Sequence, residues 1–231
     1  MKMRMVLLFA AAVVWTCLPT AVADWAENFD AYAPGTKLFG VGGWSGWGND
    51  PNVAGVVTDA QSRSPRNSVE IVGDVDAVHP FTGYTTGQWV FTAYQYVPSA
   101  LKEKTYFVMN NIYNPPTYQW TVEIHVDPPT GLVWDQLRDS GKTKPLPIIK
   151  DQWVEFKLLI DLTADTVSEY YGGQLLWTGK WTVRGGPKEI ANVDLYAGVN
   201  IQTAVYWDDL SLVPEPASAL LLLGLLALRR R

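Results

Sequence analysis

Glu123, His125 and Asp127 stand at alternate positions of one extended stretch, so their side chains leave one side of a strand while Ile124 and Val126 leave the other. A carboxylate beside an imidazole is suited to moving protons, which makes Glu123 and His125 the candidate catalytic pair. The alternative is a solvated polar face on a half-buried strand. Trp44 and Trp47 lie in Gly42-Gly43-Trp44-Ser45-Gly46-Trp47-Gly48, where four glycines give the indoles little local cover. Flat aromatic faces exposed on loops are surfaces on which sugar rings stack. With Glu123, His125 and Asp127 they form a candidate glycan-binding set; the alternative is that both indoles plug the end of the fold. Asp74, Asp76 and His79 make a loose group with no metal-ligand spacing, and that stretch is expected to be a loop.

Other chemistries find little support. The only cysteine, Cys17, lies in the leading segment, which excludes a disulfide framework and a thiol nucleophile from the rest of the chain. No Gly-x-Ser-x-Gly elbow occurs, and the glycine-rich stretches do not open helices, so neither a serine triad nor a phosphate cradle is indicated. The ends, 1–23 and 214–231, carry five basic and one acidic side chain, leaving 13 basic and 22 acidic in between, a formal charge of −9. Such a balance argues against a nucleic-acid partner.

The elements that must position these residues are strands. Residues 24–213 hold 27 aromatics and show period-two alternation rather than a sustained helical period. In 153–161, Val154, Phe156, Leu158 and Ile160 face one way, and in 120–127 Trp120, Val122, Ile124 and Val126 do the same. Similar runs cover 88–97, 105–113, 166–171, 193–201 and 204–212, separated by Gly/Pro/Asn turn signals such as Asn114-Pro115-Pro116 and Gly172-Gly173. Many short strands at this spacing predict one all-β domain, an antiparallel sandwich or barrel.

The two ends read as processing signals. Residues 1–23 combine a basic start, an apolar middle and an Ala21-Val22-Ala23 exit, the parts of a secretory signal peptide. The other end runs Pro214-Glu215-Pro216, an apolar stretch over 217–228, then Arg229-Arg230-Arg231. As a helix that stretch would reach about 18 Å, short of the roughly 30 Å hydrocarbon core, so it suits a transient membrane anchor. The three parts in this order resemble the PEP-CTERM sorting signal of Gram-negative bacteria. That resemblance implies signal peptidase and a membrane-embedded exosortase as processing partners, and delivery to the cell surface or extracellular matrix.

A second resemblance spans the middle. Glu27-Asn28-Phe29-Asp30 running into Gly42-Gly43-Trp44, then Tyr170-Tyr171-Gly172-Gly173-Gln174 and Tyr206-Trp207-Asp208-Asp209-Leu210 are similar to concanavalin A-like (laminin-G-like) jelly rolls of secreted bacterial proteins. This implies a β-sandwich with its first and last strands side by side. Of the enzymes on that fold, family 16 glycoside hydrolases carry Glu-x-Asp-x-x-Glu; here His125 and Pro128 occupy the second and third positions. Alginate lyases carry Gln-Ile-His, echoed by Glu123-Ile124-His125, but their tyrosine motif is missing. The analogy also brings Glu27, Asp30, Asp208 and Asp209 together, oxygen ligands suited to a structural Ca²⁺; ordinary edge charges are the alternative. No other cofactor is implied.

The expectation is a signal peptide over 1–23, a jelly-roll sandwich over 24–213 and a sorting signal over 214–231, with a signal helix and a short hydrophobic helix flanking the sandwich. Functionally it is an exported, non-catalytic surface protein that touches polysaccharide. The alternatives are a polysaccharide lyase or hydrolase using Glu123 and His125, and a purely structural matrix protein.

Overall fold

The computed structural model describes residues 24–137 and 144–215. Among them the chain forms fifteen strands: β1 (Trp25–Glu27), β2 (Ser45–Gly46), β3 (Val56–Thr58), β4 (Ser68–Gly73), β5 (Asp76–Pro80), β6 (Gln88–Tyr96), β7 (Thr105–Asn114), β8 (Thr117–Asp127), β9 (Leu132–Asp135), β10 (Leu146–Pro147), β11 (Trp153–Asp161), β12 (Thr166–Tyr171), β13 (Gln174–Lys180), β14 (Asn192–Tyr196) and β15 (Ile201–Pro214). Two short 3₁₀ helices, Trp47–Asn49 and Pro51–Val53, are the only helical segments among the described residues. No described helix is long and apolar enough to cross a membrane. The expected signal helix with Ala21 and Ala23, and the expected hydrophobic helix with Pro216 and Arg229, Arg230 and Arg231, lie outside the described residues.

The strands form two antiparallel sheets. The larger runs β13-β12-β11-β6-β15-β4-β3 with β1 also against β15, and the smaller runs β10-β9-β8-β7-β14-β5-β2. The alternation in β11 buries Val154, Phe156, Leu158 and Ile160 and leaves their neighbours half-exposed, as a strand packed on one face requires. First and last strands do lie side by side, with Trp25 opposite Leu212 and Glu27 opposite Leu210. Tyr171 pairs with Gln174 across a tight hairpin whose central Gly172 and Gly173 have φ of 56° and 75°, the left-handed pair that a two-residue turn of this hand demands. Between the sheets the core centres on Phe107, whose ring lies 5.6 Å from Phe91, 5.5 Å from Phe156 and 5.7 Å from Trp207. Burying such a side chain stabilises the fold by about 1.5–3 kcal/mol.

Three departures from expectation shape the outer face of the smaller sheet. The stretch 193–201 is not one strand: β14 ends at Tyr196 and β15 starts at Ile201, because Gly198 (φ 93°) and Asn200 (φ 52°) turn the chain. Residues 76–80, expected to be a loop, form β5, which pairs with β14 on one side and β2 on the other. Trp120, expected on the core side with Val122, lies on the opposite face. Met109 pairs with Val122 and Asn110 with Trp120, so Thr121 is an extra residue, a bulge that reverses the alternation beyond it. The Thr121 hydroxyl donates to the Trp181 carbonyl, which holds the bulged residue inward.

Candidate functional site

The register of the smaller sheet arranges polar side chains in rows. One row of opposed residues is Glu123 on β8, Val108 on β7, Asp194 on β14 and Val78 on β5. The adjacent row is His125, Tyr106, Tyr196 and Asp76 on the same strands. Above this floor lies a groove of about 460 Å³, lined among others by Asp76, Asp194, Glu123, Trp47 and Trp120, with Arg184 at its rim.

Trp47 reaches the groove from the loop after β2. Gly46 is needed there, because a Cβ on it would sit 2.0 Å from the Asp50 carbonyl oxygen. The Gly48 N–H donates to the Tyr113 hydroxyl at 3.1 Å, tying the loop to β7. The Trp47 ring lies 5.6 Å from that of Trp120, with 24° between their planes, and 4.4 Å from Tyr118. The two indoles thus make one continuous aromatic wall, which exists only because the bulge turned Trp120 outward.

On the floor, Asp76 and Asp194 are hydrogen-bonded to each other. Two carboxylates can make that bond only if one keeps a proton. Burial, then the charge of Asp76, pushes Asp194 well above the usual carboxylate range, and burial pushes Asp76 up to about 6. The pair therefore keeps one proton between its two carboxyls beyond the pH at which a lone carboxylate would lose it. The Oδ1 atoms of both are buried, and no N–H or hydroxyl elsewhere among the described residues reaches them.

Of the five residues expected to bind glycan, the groove brings together Trp47 and Glu123. Trp44 does not join them: at 1% exposure it is a core residue, its ring 5.7 Å from Phe29 and its Nε1–H donating to Glu27 Oε2 at 3.4 Å. Here the glycines do not expose the indole, because the chain folds it under β1. His125 and Asp127 share the face of Glu123, but they are 4% and 2% exposed and form no solvated row. The His125 ring is enclosed 4.5 Å from both Tyr106 and Trp134, and its Nε2 lies 3.1 Å from Glu123 Oε1, so it positions Glu123 rather than facing a ligand. Asp127 pairs with Lys104 at 3.0 Å.

The four acids expected to hold calcium are each engaged by protein donors. Glu27 accepts from the Phe29 N–H and the Tyr32 hydroxyl, and Asp30 from the Asn67 N–H. Asp208 accepts from the N–H groups of Arg63 and Ser64, while Asp209 pairs with the Arg63 guanidinium. Among the described residues no group of three or more His, Cys, Asp or Glu is placed to hold a metal ion. Of the residues expected to form a sorting motif, Pro214 closes β15 opposite Trp89, and the Glu215 N–H donates to the Gln88 carbonyl at 2.9 Å.

No protein-family model and no curated protein matches the sequence. Solved structures do. A cellulose-induced protein, Cip1, superposes with a TM-score of 0.54 at 16% identity over 82% of this chain and 96% of that one. A Trypanosoma rangeli sialidase in complex with 2,3-difluoro-KDN gives 0.54 at 15% identity over 85% of this chain and 31% of its own. Another sialidase gives 0.57 at 7% identity over 83% and 18%. The fold is a jelly-roll-like β-sandwich. At these identities the likeness concerns the fold, and the chain spans less than a third of either sialidase.

Reasoning from sequence missed Asp76, Asp194, Trp120 and Arg184. Asp194 carried a signal: an acid between Val193 and Leu195 in an alternating strand must leave the core face, and its opposite face then needs an explanation. Trp120 carried none, because the bulge that turns it depends on pairing with β7.

Proposed function

We propose that this chain is an exported surface protein whose sandwich binds a polysaccharide in the groove of its smaller sheet. The carrying observation is the stacked Trp47–Trp120 wall standing beside the carboxylates of Glu123 and Asp76 in one open groove. A sugar ring has an apolar C–H face and an edge of hydroxyls; a flat indole suits the first and a carboxylate acceptor the second. Enclosure of His125 between Tyr106 and Trp134 supports binding over proton transfer by Glu123 and His125. The basic-apolar-small leader over 1–23 and the Pro-Glu-Pro, apolar and arginine parts of 214–231 support export, processing by signal peptidase and an exosortase, and residence at the cell surface or in the matrix. That a cellulose-induced protein and sialidases share the fold is in keeping with a carbohydrate ligand.

A glycan array probed with purified protein tests the reading. Binding should weaken about tenfold or more in Trp47→Ala and in Trp120→Ala, the equivalent of losing at least about 1.4 kcal/mol. Unchanged binding in both variants would remove the groove as the site.

A further inference from the structure

Resting on that reading, we propose that the groove takes a cationic glycan, a polysaccharide bearing free amino groups, with an ammonium seated against Asp76 and Asp194. Three carboxylates, Asp76, Asp194 and Glu123, line the groove against one cation, Arg184 on its rim. Lys104 is turned away to Asp127. A uronate-rich polysaccharide would set like charges against this lining, a juxtaposition that costs affinity.

How three other buried acids are treated gives the sharper indication. Asp208 receives the N–H groups of Arg63 and Ser64, Asp135 receives those of Glu123 and Leu137, and Asp127 receives the Lys104 ammonium. Buried carboxylates are ordinarily supplied in this way. Asp76 and Asp194 have only each other, although Asp194 is 3% exposed and lines the groove. Sugar hydroxyls would offer single donors, whereas an ammonium brings three donors and the charge that lets both carboxylates ionise.

The aromatic surroundings favour the same ligand. Tyr196 stands opposite Asp76 and stacks on Tyr106 at 5.1 Å with 24° between planes, while Trp47 and Trp120 flank the other side. Electron-rich rings around a carboxylate pair form a cage that favours a cation. Seating the ammonium displaces the proton shared by Asp76 and Asp194 to solvent, so binding should release up to about one proton. The other titratable or charged groups facing this pair are Glu123 with His125 behind it, Arg184, and the phenols of Tyr106, Tyr113 and Tyr196.

Calorimetric titration of the purified protein with three probes decides the matter: a glucosamine hexamer, its fully N-acetylated form and a hexuronate of the same length. The glucosamine hexamer should bind at least about tenfold tighter than the acetylated one, and the hexuronate should not bind. Its affinity should fall at least about tenfold between low and high salt, and the binding enthalpy should vary with the ionisation enthalpy of the buffer. Asp76→Asn and Asp194→Asn should abolish the preference for the free amine, bringing the affinity for the glucosamine hexamer down to that for the acetylated one. If either variant fails to fold, the wild-type acetylation and salt dependence still decides. Equal affinity for the acetylated form, or preference for the uronate, overturns the ammonium proposal but leaves glycan binding standing. No binding of any saccharide, by wild type or variants, overturns both.

Discussion

Asp194 on β14 and Asp76 on β5 lie on a diagonal of one antiparallel ladder, each two residues from the other's direct partner, and share a proton. Diagonal neighbours on one face are within reach of each other's side chains. Because both leave the outer face of the smaller sheet, their shared proton belongs to the groove rather than to the core. The fold must hold them against repulsion, and it does so through the strands on either side: β7 pairs with β14, and β2 pairs with β5.

This pair sets a pH dependence with a definite sign. Burial raises Asp76 from 3.8 to about 6 in the folded protein, so its contribution to stability is present at low pH and lost as pH rises through that window. Asp76→Asn does not titrate and should gain on the wild type as pH goes from about 4 to about 7. Scanning calorimetry at the two pH values measures the gain; a difference in Tm that is the same at both would contradict the shared-proton account.

Trp44 and Trp47, three positions apart, should separate cleanly in their effects. Trp44 is enclosed by Trp25, Phe29 and His79, so Trp44→Ala should cost about 3–5 kcal/mol of stability. Trp47 is half-buried in the groove wall, and Trp47→Ala should leave Tm closer to the wild type while weakening saccharide binding. Chemical denaturation and binding measured on the same preparations check the contrast. Equal destabilisation by both would make Trp47 another core residue.

The sandwich was legible because its evidence is local. The alternation of β11 and the Gly172-Gly173 turn follow from residue types that act within a strand or a hairpin. The pairing of β1 with β15, by contrast, joins the two ends of the domain and is expected from the jelly-roll resemblance alone. The local logic placed Glu123 opposite Ile124. It stopped where tertiary pairing takes over. The bulge at Thr121 turns Trp120 outward, the packing of β1 folds Trp44 inward, and β5 brings Asp76 to Asp194 across 118 positions of sequence. Asp74-Val75-Asp76 reads as a loop because two acids and a preceding glycine are turn formers; only burial against β14 makes a strand of residues 76–80.

Asp208 should prove to be the pin of the segment before β4. Its Oδ2 accepts from the Arg63 and Ser64 N–H groups at 2.7 and 3.1 Å, and the Arg63 guanidinium lies over the Tyr94 ring at 3.5 Å. Asp208→Ala leaves those two N–H groups without an acceptor, at a cost of about 1–3 kcal/mol. Limited trypsin digestion should then cut at Arg63 or Arg66 faster than in the wild type. Equal cleavage rates would show that the segment is held by other contacts.

His79 carries the opposite pH sign. Its ring lies 4.6 Å from Trp25, 5.3 Å from Trp44 and 5.0 Å from Phe81, with Nε2 at 3.2 Å from the Gly42 carbonyl. Gly43 must lack a side chain here, since a Cβ would sit 2.7 Å from that nitrogen. Burial lowers His79 from 6.5 to about 4, outweighing the Gly42 bond that pulls the other way. A folded value below the unfolded one means that stability is fully present above about pH 6.5 and is lost as pH falls toward 4, because the unfolded chain binds the proton first. At pH 4.5 the loss amounts to about 2–3 kcal/mol. His79→Phe fills the same aromatic space without titrating, so the wild type should lose about that much relative to the variant between pH 7.5 and pH 4.5. Urea unfolding at the two pH values measures it; a gap that stays constant would mean that His79 is already charged, or already solvated, in the folded protein.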